Sequence, residues 1–223
     1  MAKGEPSEIR LLGIQSAGNE GEAQIVTLHT NRGNIDTRLH RPPKEGGQAG
    51  IVWVFGAGGG LGGPAGGLYT RLAEQLAPEG VTSLRVDYRF PNQLPECTLD
   101  VLLGGAYLET LGVTRLALVG HSFGGAVVID AGVSSDAVVG VAALSSQTYG
   151  ADAVGQLSPR SLLLIHGSAD EVLPDSCSRW LYERAAEPRE LLLYPGCRHG
   201  LDECRDALDR DLGRWLRRTL LGV

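Results

Sequence analysis

No stretch of this sequence stays apolar for more than a handful of residues, although 43% of its 223 residues are hydrophobic. The run of about twenty that a bilayer crossing requires is never assembled, which excludes membrane spanning. There is no basic block either: 20 Lys and Arg stand against 26 Asp and Glu, a net charge of −6, so nucleic acid is not an expected partner. Met1 to Arg10 (MAKGEPSEIR) carries charges and no apolar core, so neither a secretory signal nor a lipid anchor is expected there, and a cytoplasmic location is. Cysteine is sparse. Cys97, Cys177, Cys197 and Cys204 are expected to be thiols, because a chain this long and this apolar needs no disulfide frame. Cys197, His199 and Cys204 match no finger or ribbon spacing and have no evident fourth ligand, so no metal and no other cofactor is expected. No repeat, low-complexity tail or Pro/Ser linker divides the chain. One α/β domain over residues 1–223 is expected, with residues 1–20 irregular.

What the sequence has in excess is glycine, 32 residues, with eight in the twelve positions from Gly56 to Gly67. Backbone there must turn sharply or approach something that a Cβ would block. Upstream, Gln24 to Thr30 and Ile35 to His40 are rich in β-branched and alternating residues and are separated by Asn31-Arg32-Gly33-Asn34, which predicts an antiparallel hairpin. Downstream, short apolar runs recur: Ile51 to Phe55, Thr82 to Val86, Leu116 to Val119, Val138 to Leu144, Leu162 to Ile165 and Leu191 to Tyr194. Runs apolar throughout predict strands covered on both faces, as in parallel sheets. Between them lie helical stripes, such as Leu68/Tyr69, Leu72/Ala73, Leu76/Ala77 and the series Leu201, Cys204, Leu208, Leu212, Trp215, Leu216. Alternating strand and helix predicts a mostly parallel, doubly wound sheet whose ligand site lies at the strands' carboxyl ends.

After the run Leu116 to Val119 the chain reads Gly120-His121-Ser122-Phe123-Gly124-Gly125, then an apolar helical stretch. G-x-S-x-G between a strand and a helix marks a tight turn that lifts the serine hydroxyl clear of the sheet, with glycines where a side chain would collide. A serine hydroxyl is a weak nucleophile near neutral pH and needs an imidazole to take its proton and an anion to orient that imidazole. His29 and His40 lie in the hairpin, His121 adjoins the serine and His166 closes a run, which leaves His199, placed after the last run and before the final helix. Asp170, in the loop after Leu162 to Ile165, is the expected carboxylate; Glu171 and Asp175 are neighbouring alternatives.

With GHSFGG, HGSAD and CRHG in the order serine, acid, histidine, the sequence resembles the α/β-hydrolase superfamily from about Gln24 onward, its small dienelactone-hydrolase-like or esterase-like members in particular. The resemblance implies Ser122 as nucleophile, His199 as base and then acid, and Asp170 as the orienting group. It also implies an oxyanion hole of backbone amides, one from Phe123 and a second from Ala57, with Gly56 as the other candidate; Phe55 stands where family members often have histidine. Fewer than 20 residues separate Leu144 from Leu162, so no cap domain is expected and the cleft should be open, suited to a small soluble acyl substrate. Two other readings compete. A hydrolase-like protein could bind without turnover, and Gly58 to Gly63 fits the dinucleotide pattern G-x-G-x-x-G. The dinucleotide match is weak: eight glycines in twelve positions match most spacings, and Asp87 lies 29 residues past Gly58 rather than about 20.

Overall fold

The computed structural model describes residues 9–44 and 46–223. Nine strands form one sheet: β1 (Leu11–Glu20), β2 (Ala23–Thr30), β3 (Gly33–His40), β4 (Ala49–Val54), β5 (Val81–Val86), β6 (Arg115–His121), β7 (Val138–Leu144), β8 (Ser161–Gly167) and β9 (Arg189–Tyr194). The helices are α1 (Pro64–Leu76), α2 (Leu94–Thr110), α3 (Phe123–Gly132), α4 (Ser176–Arg184) and α5 (Arg205–Leu221). Strand order is β1-β2-β3-β5-β4-β6-β7-β8-β9. The first three strands are antiparallel to one another and β3 is antiparallel to β5; from β5 to β9 all neighbours are parallel. The expected mostly parallel, doubly wound sheet with an antiparallel N-terminal hairpin is therefore the observed architecture.

One expectation is corrected. Residues 11–20 are not irregular: they form β1, which extends the hairpin to three strands. Its side chains are almost all exposed and its pairing with β2 slips at Leu11/Gly13 and Ser16/Asn19. The strand is held by main-chain hydrogen bonds to β2 rather than by an apolar face, so it leaves little pattern in the sequence. The remainder of the segment expected to be irregular, residues 1–8, lies outside the described residues.

The continuous apolar runs are explained by cover on both faces. Alternation sends Ile51 and Trp53 of β4 toward Leu68, Leu72, Leu212 and Trp215 of α1 and α5, while Val52 and Val54 pack with Val101 and Leu108 of α2 and Val127 and Val128 of α3. From β4 the chain winds first to β5 on one side and then to β6 on the other, so the crevice at this switch point opens between the carboxyl ends of β4 and β6. The segment from Leu144 to Ser161 carries one 3₁₀ turn, Asp152–Gln156, and no inserted cap. No helix among the described residues is long and apolar enough to cross a membrane.

Candidate active site

Ser122 sits between β6 and α3 with φ 58° and ψ −121°, a left-handed conformation that L-residues adopt only under constraint. The constraint is steric. A Cβ on Gly120 would lie 2.0 Å from the Gly124 carbonyl oxygen, and one on Gly124 would lie 2.2 Å from the Phe55 carbonyl oxygen, so the turn can close only with glycine at both places. The Ser122 amide donates to Leu144 O (2.8 Å), tying the turn to β7, and the hydroxyl is left at the start of α3, where the helix dipole favours negative charge.

His199 follows β9. Its loop is clamped from several directions: the Ala169 amide donates to Cys197 O (2.9 Å), the Gly196 amide to Ser168 Oγ (3.0 Å) and the Ala65 amide to Gly200 O (2.8 Å). The structure also corrects the expectation that all four cysteines are thiols. Cys197 and Cys204, with Cα atoms 6.0 Å apart, form a disulfide that brackets His199, and Cys97 and Cys177 are free. The sequence criterion asked whether the core needs a covalent frame; this bridge staples one loop instead.

The three residues singled out from the sequence form a hydrogen-bonded row. His199 Nε2 lies 3.0 Å from Ser122 Oγ and His199 Nδ1 lies 2.7 Å from Asp170 Oδ2. Asp170 is shut off from solvent, and the His199 side chain keeps 20% of its surface exposed. Asp170 Oδ1 accepts the amides of Val172 and Leu173, each at 2.8 Å. Burial works to raise the Asp170 carboxyl, but the Leu173 and Val172 amides and the His199 imidazole outweigh it and hold it below the ordinary carboxylate value. An anion beside Nδ1 keeps that proton in place and leaves Nε2 as the acceptor facing the hydroxyl.

Two histidines passed over in the sequence touch this row. His121 Nε2 donates to the main-chain oxygen of His199 (2.8 Å), and its ring lies between Phe55 (5.3 Å) and His199 (4.8 Å). Burial lowers its pKa to about 4, so it is a neutral donor near pH 7. His166, fully buried, comes within 3.1 Å of Asp170 Oδ2, the oxygen that also faces His199. Neither role has a local sequence signal, because both contacts depend on loops that are brought together only by the sheet.

The glycine-rich loop starts directly over the serine. A Cβ on Gly56 would stand 3.6 Å from Ser122 Cβ, and Gly56 O accepts the Gly59 amide (3.0 Å). Phe55 replaces a polar anchor with ring contacts to His121 and Tyr69, and Tyr88 and Tyr69 donate to the main-chain oxygens of Phe55 (3.2 Å) and Val54 (2.8 Å). The amides of Gly56, Ala57 and Phe123 donate to no acceptor among the described residues. Asp87, which the dinucleotide reading would reserve for a ribose, accepts the Gly60 amide at 2.6 Å. The first residues of α1 after Pro64 are left-handed at Ala65, Gly66 and Gly67, so α1 does not open with the regular helical turn which that reading requires.

No protein-family model matches the chain. Among curated proteins it is similar to the uncharacterized protein YfhR of Escherichia coli K12, at 33% identity over a stretch covering 38% of this chain and 38% of that one. Among solved structures it is similar to Est1E from Butyrivibrio proteoclasticus (TM-score 0.74, 17% identity, 87% of this chain and 98% of that one). It is also similar to dienelactone hydrolase from Anabaena variabilis (TM-score 0.74, 16% identity, 89% and 99%) and to the esterase domain of a Rhodothermus marinus protein (TM-score 0.71, 19% identity, 93% and 99%).

Proposed function

For a chain with the α/β-hydrolase fold and this serine, imidazole and carboxylate in one row, we propose a serine hydrolase that cleaves a small soluble carboxylic ester or related acyl bond. The observation that carries the reading is the continuity from Ser122 Oγ through both ring nitrogens of His199 to the buried Asp170 carboxylate. Ser122 attacks the acyl carbon as His199 Nε2 takes its proton. The resulting imidazolium is stabilised by Asp170 and returns the proton to the departing alcohol oxygen. A water deprotonated by His199 then attacks the acyl-enzyme, releasing the acid and restoring the Ser122 hydroxyl. The tetrahedral oxyanion is held by the Phe123 amide and by that of Ala57 or Gly56, each donor worth about 3–4 kcal/mol in the transition state. The esterases and the dienelactone hydrolase among the similar structures support acyl-bond hydrolysis, and the short β7–β8 segment supports an open site for a small substrate.

The test is covalent. A serine-directed phosphonate should label the wild-type protein once and leave Ser122→Ala unlabelled, and a short p-nitrophenyl ester should give a burst followed by turnover. Labelling that persists in Ser122→Ala would move the nucleophile elsewhere. Stoichiometric ester binding without release of product would favour a non-catalytic binding protein.

A further inference from the structure

His166 ends the apolar run of β8, where side chains alternate between the two covered faces, and it carries an imidazole into a place with no solvent. All of its polar neighbours are visible. Nδ1 lies 2.7 Å from Ser178 Oγ on α4, itself fully buried; Nε2 lies 2.9 Å from Leu173 O and 3.1 Å from Asp170 Oδ2. Leu173 O and the Asp170 carboxylate can only accept, so Nε2 must bear a proton; it donates to Leu173 O and keeps Asp170 Oδ2 within ion-pair distance. In the neutral ring Nδ1 is then an acceptor, and the Ser178 hydroxyl is the donor that satisfies it. The tautomer of His166 is thus set by three neighbours.

The same accounting applied to Asp170 gives three hydrogen-bond donors and one further N–H, that of His166, within ion-pair distance. Two amides hold Oδ1, and Oδ2 lies between two imidazoles, His199 Nδ1 at 2.7 Å and His166 Nε2 at 3.1 Å. We propose that His166, oriented by Ser178, is a positioning residue for the reaction: it fixes Asp170 Oδ2 in line with His199 and draws charge from that oxygen. The inference rests on the hydrolase reading of the Ser122, His199 and Asp170 row. Its consequence is electrostatic as well as steric. With the His166 donor removed, more negative charge stays on Oδ2, the His199 imidazolium is favoured, and His199 holds its proton to higher pH.

The experiment pairs kinetics with ¹⁵N NMR of histidine-labelled protein. In the wild type, His166 should show a protonated Nε2 and a bare Nδ1; a proton on Nδ1 in place of Nε2 overturns the proposal whatever the protein's activity. His166→Leu should lower kcat on a short p-nitrophenyl ester by about tenfold with KM unchanged. It should also move the acid limb of the kcat/KM profile to higher pH, and His166→Gln, which keeps an N–H donor, should recover part of both. A folded His166→Leu protein with wild-type kcat and an unmoved acid limb overturns the proposal. Should His166→Leu fail to fold, Ser178→Ala decides: it leaves Nδ1 without its donor, a smaller shift in the same direction is expected, and no shift overturns the proposal. If the wild type neither turns over ester nor takes the phosphonate on Ser122, the hydrolase reading has failed, while the NMR tautomer still reports whether His166 presents a protonated Nε2 toward Leu173 O and Asp170.

Discussion

The side chains of Asp100 and Asp170 are both closed to solvent, yet their carboxyls move in opposite directions. Asp100, on α2, is held by one residue: the Arg89 guanidinium Nε and the Arg89 amide (2.9 Å) donate to its two oxygens, and Arg89 also pairs with Glu96. Burial wins there and pushes the carboxyl up to about 6 against the pull of Arg89. Asp170 has three hydrogen-bond donors from three residues, two of them amides of its own turn, and stays below the ordinary value. The comparison sets a deeply buried carboxylate held by one guanidinium, where desolvation dominates, against a less deeply buried one whose amide and imidazole donors outweigh desolvation. Asp100 links the end of β5 to α2; Asp170 faces the row.

Three experiments sharpen or break that contrast. Asp170→Asn should have the largest effect, a fall of about 10⁴-fold in ester turnover with folding retained, since the amide can no longer hold the Nδ1–H tautomer of His199. Turnover within tenfold of wild type would return Glu171 or Asp175 to consideration. Asp100→Asn should act on stability instead, costing about 1 kcal/mol in urea titrations at pH 7 because the buried Arg89 keeps Glu96 but loses the second of its carboxylate partners, while turnover per folded molecule is kept. The pH dependence should separate the two further. The folded Asp100 value lies above the ordinary 3.8, so between about pH 4 and 6 the folded state holds more protons and stability contributed there falls as pH rises. Asp170, lowered on folding, contributes stability that is present above 3.8 and lost as pH falls. Stability should therefore rise more steeply from pH 4 to 6 in Asp100→Asn than in wild type, and an unchanged slope would mean that Asp100 does not titrate there. Smallest of the three, Ala57→Pro should lower kcat by about 10²-fold by removing one N–H donor, and an unchanged kcat would assign the second oxyanion donor to Gly56.

The parts of the molecule legible in the sequence are those in which local pattern and tertiary use agree. Val138–Leu144 is read to the residue, and the other five apolar runs fall within one or a few residues of β4, β5, β6, β8 and β9, because strands covered on both faces show as unbroken apolar sequence. Ser122 is legible because its turn demands glycine on both sides, a steric requirement that the sequence itself displays. β1 escapes because it is exposed and carries Gly13 and Gly18. The α2 helix escapes for the opposite reason: its buried set mixes Val101 and Leu108 with Asp100, Thr98, Gly104 and Gly105, so no clean apolar stripe appears. The Cys197–Cys204 bridge escapes because four cysteines in a long chain fit thiols equally well.

Residue order alone determined the alternation of strand and helix, the strained serine turn and the short list of groups able to work beside it, since each depends on neighbours within a few positions. Only the assembled sheet brought the His199 imidazole to the serine and one Asp170 carboxylate oxygen to that imidazole, with His121 and His166 beside them. Those contacts join residues as much as 78 positions apart, and their geometry is set by how the strand ends converge at one rim.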